Sequence, residues 1–326
     1  MVLQIILFVA GFVFLVKGAD FLVEGASSIA KKHGLSSIMI GLTIVAFGTS
    51  LPELLVSALS AISGSPDIAV GNILGSNFSN TLLILGATAI VTPIVVKKNT
   101  INKEVPFSLL AVLAVGFLAN DFLLDGDGPN LLTRIDGLIL ILFFIVFIYY
   151  TFTLRKEKVK ILPKLNIIKD DAVKEYKSSK SIFLMILGII GLYFGGEWIV
   201  SGAVQIATYF GLSEALIGLT IISIGTSLPE LAASLIAAKR GEADMAVGAV
   251  VGSNIFNLLW VLGLSATIFP IVFNPILNTD LTILIAITIL LIPLIYVGKK
   301  HVLTKREGIV LLSIYAFYLI FLGIRG

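Results

Sequence analysis

The chain has 326 residues, 57% hydrophobic and 13% charged, with a net charge of +3 and a mean hydropathy of +1.06. Soluble domains carry about a quarter charged residues, so the composition marks an integral membrane protein. Cysteine is absent, which excludes a disulfide framework, a thiolate metal site and a cysteine nucleophile.

A bilayer-spanning helix needs about 20 mostly apolar residues. Ten segments read as spans: 2–24, 36–62, 68–91, 106–120, 133–153, 182–205, 214–238, 245–268, 279–298 and 307–323. The first lacks a basic leader and a small-residue cleavage pattern, so it reads as a span and not as a signal peptide. Lys17 lies within it, three residues before Asp20 and seven before Glu24. An intrahelical ion pair is the plain reading of that trio, and a gate or ion path is the second.

Basic residues test the count. The alternate connections 31–35, 95–105, 154–181, 239–244 and 299–306 hold 20 of the 23 Lys and Arg. The other connections carry Asp67, Asp121, Asp125 and Asp127, with Glu214 and Asp280 at the very start of the spans that follow them. Lys/Arg-rich loops are cytoplasmic. The expected localisation is therefore the cell membrane, multi-pass, with both termini outside and the charged 154–181 linker inside. Arg134 and Arg325 sit at span ends, where long side chains reach headgroups.

The chain repeats itself. Gly41–Leu54, reading GLTIVAFGTSLPEL, returns 177 residues later as GLTIISIGTSLPEL, with eleven of fourteen positions identical. At the same offset Gly18–Val23 matches Gly195–Val200, Gly34–Ser36 matches Gly211–Ser213, and Gly71–Asn80 matches Gly248–Asn257. Residues 1–153 and 182–326 therefore read as five-span repeats joined by 154–181. Five is odd, so the second repeat enters from the opposite side. The expected fold is an all-α integral membrane protein, ten transmembrane helices as two inverted five-helix repeats. Many secondary transporters use such repeats, with the site near the midplane.

The doubled motif sets oxygen chemistry inside hydrocarbon. Proline has no N–H and clashes with the carbonyl four residues earlier, here Gly48 for Pro52 and Gly225 for Pro229. Carbonyls freed this way are costly unless they line a cavity or bind something, and a hard cation satisfies them. Thr49, Ser50 and Glu53 lie around one break; Thr226, Ser227 and Glu230 lie around the other. Ser76, Asn77 and Asn80 on the third span, and Ser253, Asn254 and Asn257 on the eighth, add further oxygens. Calcium takes six to eight oxygen ligands, and sodium accepts the same donors with less formal charge. Two facing carboxylates repel; one divalent ion relieves that alone and monovalent ions relieve it as a group, which is a physical basis for exchange. Ser79, the Gly71/Gly75 pair and the Gly248/Gly252 pair read as packing positions.

These residues resemble the alpha repeats of the calcium/cation antiporter superfamily, the sodium/calcium exchangers, and most closely the short prokaryotic members. The resemblance implies that the second, third, seventh and eighth helices enclose the ions while the first and sixth slide to switch access. It implies a calcium site of Glu53, Glu230 and the Thr49 and Thr226 carbonyls. It implies sodium sites of Ser50, Ser76 and the Ala46 carbonyl, and of Ser227, Ser253 and the Ser223 carbonyl, with Asn80 and Asn257 lining the middle. Some relatives carry Asp at the position of Asn257; its absence here weakens a case for potassium co-transport.

The expected function is exchange of Na+ for Ca2+ by alternating access, with a proton-coupled Ca2+ antiporter as the alternative. Both histidines, His33 and His301, fall in expected cytoplasmic loops, away from a proton path through the core. A cation channel fits two inverted copies less well than one occluded site does. An intramembrane enzyme lacks a nucleophile–base pair. No cofactor, nucleic acid or obligate protein partner is expected; the partners are the two ions and the bilayer.

Overall fold

The computed structural model describes residues 2–121, 129–153, 174–209, 223–298 and 301–325. Its helices are α1 (Val2–His33), α2 (Ser37–Thr49), α3 (Leu51–Ile62), α4 (Pro66–Val91), α5 (Thr100–Leu118), α6 (Arg134–Thr153), α7 (Ser178–Tyr209), α8 (Ser223–Thr226), α9 (Leu228–Lys239), α10 (Ala243–Ile268), α11 (Leu277–Val297) and α12 (Lys305–Arg325). Among the described residues, eight helices are long and apolar enough to cross a membrane, and nine if α2 and α3 form one bent span. The expected seventh span starts in residues that lie outside the described ones, and its described part is α8 and α9.

Most boundaries fall within a few residues of expectation. The exceptions have physical causes. α1 continues to His33, because Lys31, Lys32 and His33 sit at a helix C-terminus, where cations are favoured; in sequence they read as a loop. α5 begins at Thr100 with a turn of wide, i→i+5 hydrogen bonding that carries Lys103 and Glu104. The expected 36–62 span is two helices meeting at 48°.

The α1–α7 pair is antiparallel and runs on glycine. A Cβ at Gly18 would lie 2.6 Å from the Leu192 nitrogen, and one at Gly195 would lie 2.5 Å from the Leu15 nitrogen. Gly11 meets Gly195, Gly18 meets Gly188, and Gly25 meets Ser181, so rising numbers on α1 face falling numbers on α7. Only glycine permits backbones this close. The two helices present one face to each other and the rest outward.

Other contacts come in exchanged pairs. Gly86 of α4 abuts Gly308 of α12, and Gly263 of α10, 177 residues after Gly86, abuts Gly137 of α6. Two short antiparallel ladders follow the same rule. β1 (Ile94–Val95) pairs with β4 (Val302–Leu303), and β3 (Ile271–Val272) pairs with β2 (Leu131–Leu132). Lys97 forms an ion pair with Asp244, and at the positions 177 away Asn274 donates to Asp67 at 3.3 Å. Each half thus holds the other's last helix.

α4 and α10 are the innermost helices: 78% and 94% of their apolar windows are buried, against 28% for α6 and α12. Outer faces carry exposed Ile135, Leu142, Phe317 and Ile320, the apolar surface a bilayer covers. The expected Lys17 ion pair is corrected. Lys17 is exposed, and Asp20 and Glu24 instead bond Arg240, beyond the end of α9. A basic residue 216 to 220 positions away in sequence cannot be matched to these carboxylates by local spacing.

Candidate ion-binding site

Both prolines do the same thing to the backbone. α2 stops at Thr49, Ser50 takes φ −85° and ψ 10°, and α3 resumes with Pro52 in its first turn. Ser227 takes φ −87° and ψ 2°, and α9 resumes with Pro229 in its first turn. Each break places Glu53 or Glu230 in the first turn of a new helix, where the dipole favours a carboxylate. Each also ends a helix at Thr49 or Thr226, where terminal carbonyls lack onward donors and the dipole favours a cation.

These turns meet in the middle of the molecule. Glu53, Glu230, Thr49, Ser50, Ser76, Asn80, Ser227, Ser253 and Asn257 are all buried. Thr226 is half-buried. Ser50 donates to Glu230 Oε1 at 3.2 Å, across the two halves, and Ser76 donates to Glu53 Oε1 at 3.3 Å. The Thr49 hydroxyl bonds back to the Val45 and Ala46 carbonyls at 3.1 and 3.3 Å. The Ala46 carbonyl also accepts from the Ser50 N–H at 3.0 Å. Ser223 is the first described residue of α8; its side chain lies outside the described residues.

Asn80 and Asn257 each sit second in a stretch of i→i+5 helix, Ser79–Ile84 and Phe256–Val261. Such wide turns are rare and recur at functional sites. Residue spacing gave no sign of them. Ser79, by contrast, spends its hydroxyl on Tyr315 at 2.9 Å, and Gly248 and Gly252 abut the backbone of α2; these act in packing.

The centre holds unspent oxygen, as do several other buried positions such as Thr88, Thr100 and Glu104. Glu53 Oε2, Glu230 Oε2, Ser227 Oγ, Ser253 Oγ, Asn80 Oδ1 and Asn257 Oδ1 are buried with no hydrogen-bond partner. Leaving a buried polar group unpaired costs about 1–3 kcal/mol. These six oxygens come from α3, α4, α9 with its cap, and α10, and are donors of the kind that hard cations take. Among the described residues no group of three or more His, Asp or Glu could hold a metal; the donor set is two carboxylates plus neutral oxygens. That suits hard cations and not zinc or copper.

One further residue emerges from the geometry. Asn72 of α4 donates to Ser57 Oγ at 2.9 Å and to the Glu53 carbonyl at 3.4 Å. Its own oxygen accepts from Thr226 Oγ1 at 3.5 Å. It touches both broken motifs. Its counterpart is Ala249, and Ser234, the counterpart of Ser57, has an unpartnered hydroxyl. That departure from the repeat, asparagine against alanine, was the available signal.

A cavity of about 430 Å³ reaches this centre from one side, lined by Pro52, Leu55, Glu197, Ser201, Thr226 and Pro229 among others. Both motif prolines line it.

Known proteins match the chain over nearly its whole length. A family model described as "Sodium/calcium exchanger protein" matches residues 3–153 and 180–323. CaxA of Alkalimonas amylolytica is 41% identical over 320 residues, covering 98% of each chain. The sodium/calcium exchanger MaX1 of Methanosarcina acetivorans is 30% identical, covering 96% of each. Among solved structures, the sodium-calcium exchanger NCX_Mj soaked with Na+ and Ca2+ superposes with a TM-score of 0.81 at 32% identity, covering 98% of each chain.

Proposed function

From the premise that this chain belongs to the sodium/calcium exchanger protein family, a cation antiporter of the membrane, we propose that it exchanges Na+ for Ca2+ by alternating access through one central site. The observation that carries the reading is the set of six unpartnered buried oxygens around Glu53 and Glu230. Calcium neutralises both carboxylates at once. Sodium ions do so only as a group, drawing on Ser50, Ser76 and the Ala46 carbonyl on one side and Ser227, Ser253 and the Ser223 carbonyl on the other. Thr49 and Thr226 supply carbonyls from the two helix ends, and Asn80 and Asn257 stand between. Because both ions need the same carboxylates, binding of one expels the other. That competition couples the two gradients.

The architecture proposed is ten helices as two inverted repeats, residues 1–153 and 182–326, with 154–181 as cytoplasmic linker and both termini outside. The antiparallel α1–α7 pair, the exchanged glycine contacts and the exchanged ladders support it. Sodium coupling is favoured over proton coupling by the neutral donors that surround the carboxylates. His33 ends α1 and His301 precedes β4, so neither imidazole stands on the helices bearing the site. The test is uptake of radioactive calcium into proteoliposomes under imposed sodium, proton or potassium gradients. Uptake driven by internal sodium supports the reading; uptake driven by protons and indifferent to sodium overturns it.

A further inference from the structure

α1 and α7 hold equivalent places in the two halves but meet their neighbours differently. α7 is separated from α3 by the cavity, with Glu197, Val200 and Ser201 in its wall. α1 is packed directly on α9: Val23, Ala26 and Ala30 share an apolar cluster with Ala233 and Ala237. The positions 177 residues before Glu197, Val200 and Ser201 are Asp20, Val23 and Glu24. Exchange of the two halves therefore maps the open cavity onto a closed seam.

A charged bridge spans that seam. Arg240 Nε donates to Asp20 Oδ1 at 3.0 Å, and its Nη2 donates to Glu24 Oε2 at 3.0 Å. Arg240 is the residue that caps the C-terminal end of α9. The residue that caps α3 in the same way is Ser63. The trio at the equivalent positions is Ser63, with Glu197 and Ser201 of the cavity wall, which cannot form an ion pair with one another. The seam is fastened further from the segment before α7. Tyr176 donates its phenol to Glu24 Oε1, and its N–H donates to Ser28 Oγ at 2.9 Å. The Glu24 hydrogen bond raises the Tyr176 phenol above its ordinary value.

We propose that Arg240 with Asp20 and Glu24 is a latch: it holds shut the counterpart of the open cavity, on the side of residues 174–177, and must part before the site faces that side. Its strength suits the task. Arg240 and Asp20 are each about one-third exposed, and partly exposed ion pairs are worth little singly. One guanidinium shared between two carboxylates closes the seam and still lets thermal motion break it. The inference rests on the alternating-access reading, but its test requires no transport.

The chain has no cysteine, so one introduced thiol is a unique reporter. Ala233→Cys places it in the seam, where Ala233 is fully buried. Val56→Cys places it at the equivalent position in the cavity wall. Labelling of the full-length protein in detergent by a maleimide reagent reports each side. In the otherwise unaltered chain, Val56→Cys reacts quickly and Ala233→Cys slowly. Adding Arg240→Ser should speed labelling at Ala233→Cys roughly fivefold or more, the lower end of conformational coupling, and slow it at Val56→Cys. Arg240→Lys should restore most of the original ratio. The double variant Asp20→Asn with Glu24→Gln should repeat the reciprocal change. An unchanged rate at Ala233→Cys overturns the latch. So does a rise at both positions, which would mark general loosening. Absence of exchange flux in the unaltered chain would overturn the antiport reading and leave the labelling result standing.

Discussion

Glu230→Gln probes the site with little change of shape. The amide fills the same volume, and its oxygen still accepts from Ser50 at 3.2 Å. What it removes is one of the two charges that face the ion. A divalent cation about 2.5 Å from a carboxylate oxygen gains about 13 kcal/mol at an effective dielectric of about 20. Desolvation of both partners offsets most of that. Removing one member of a buried charge pair costs about 3–5 kcal/mol in practice. At about 1.4 kcal/mol per tenfold, calcium affinity should fall by roughly 100-fold to several thousand-fold. Two readings separate site from fold. Initial rates of calcium uptake into sodium-loaded proteoliposomes give the half-saturating concentration. Thermal unfolding in detergent gives stability with and without calcium. Without cation the variant should unfold at the same or a higher temperature, because the repulsion between Glu53 and Glu230 is gone. The upward shift that calcium confers by mass action should vanish. A half-saturating concentration within about threefold of the unaltered chain, against the loss expected from a buried charge pair, would refute the reasoning.

Asn72→Ala should lower the maximal exchange rate roughly tenfold by loosening the geometry of both breaks, with half-saturating calcium nearly unchanged; an affinity loss as large as that of Glu53→Gln would show that Asn72 contacts the ion. Ser227→Ala with Ser253→Ala removes two unpartnered buried hydroxyls. Stability without cation should hold or rise, while sodium affinity, read from the sodium needed to drive uptake, should fall. Gly18→Val forces a side chain into the α1–α7 seam and should cost about 1–3 kcal/mol by overpacking. Gly323→Val, where a Cβ meets nothing within 4 Å, should leave the unfolding temperature unchanged.

Much of this molecule is legible along its sequence because a bilayer leaves helices few alternatives. Hydropathy places 133–153 and 245–268 within two residues of α6 and α10. Proline inside an apolar run marks both breaks, and repetition pairs Glu53 with Glu230. Most of the failures share a cause: they are contacts between residues distant in the chain. Arg240 reads as one more loop charge; only the fold brings it to Asp20 and Glu24. The two-residue ladders are too short for an alternation to register. Asn72 sits inside a matched segment, and its contacts with Ser57 and Thr226 depend on how α4 lies against both breaks. The wide helical turns at Asn80 and Asn257 change hydrogen-bond pattern without changing composition.

The central claim is that sodium and calcium contend for the same two carboxylates. Equilibrium binding of radioactive calcium to the purified protein, titrated with sodium at constant ionic strength, tests it most directly. The account predicts complete displacement with a slope steeper than one sodium per calcium, and no displacement by potassium at equal concentration. Calcium binding that sodium leaves untouched, or lowers only to a plateau, would place the two ions at separate sites and contradict it.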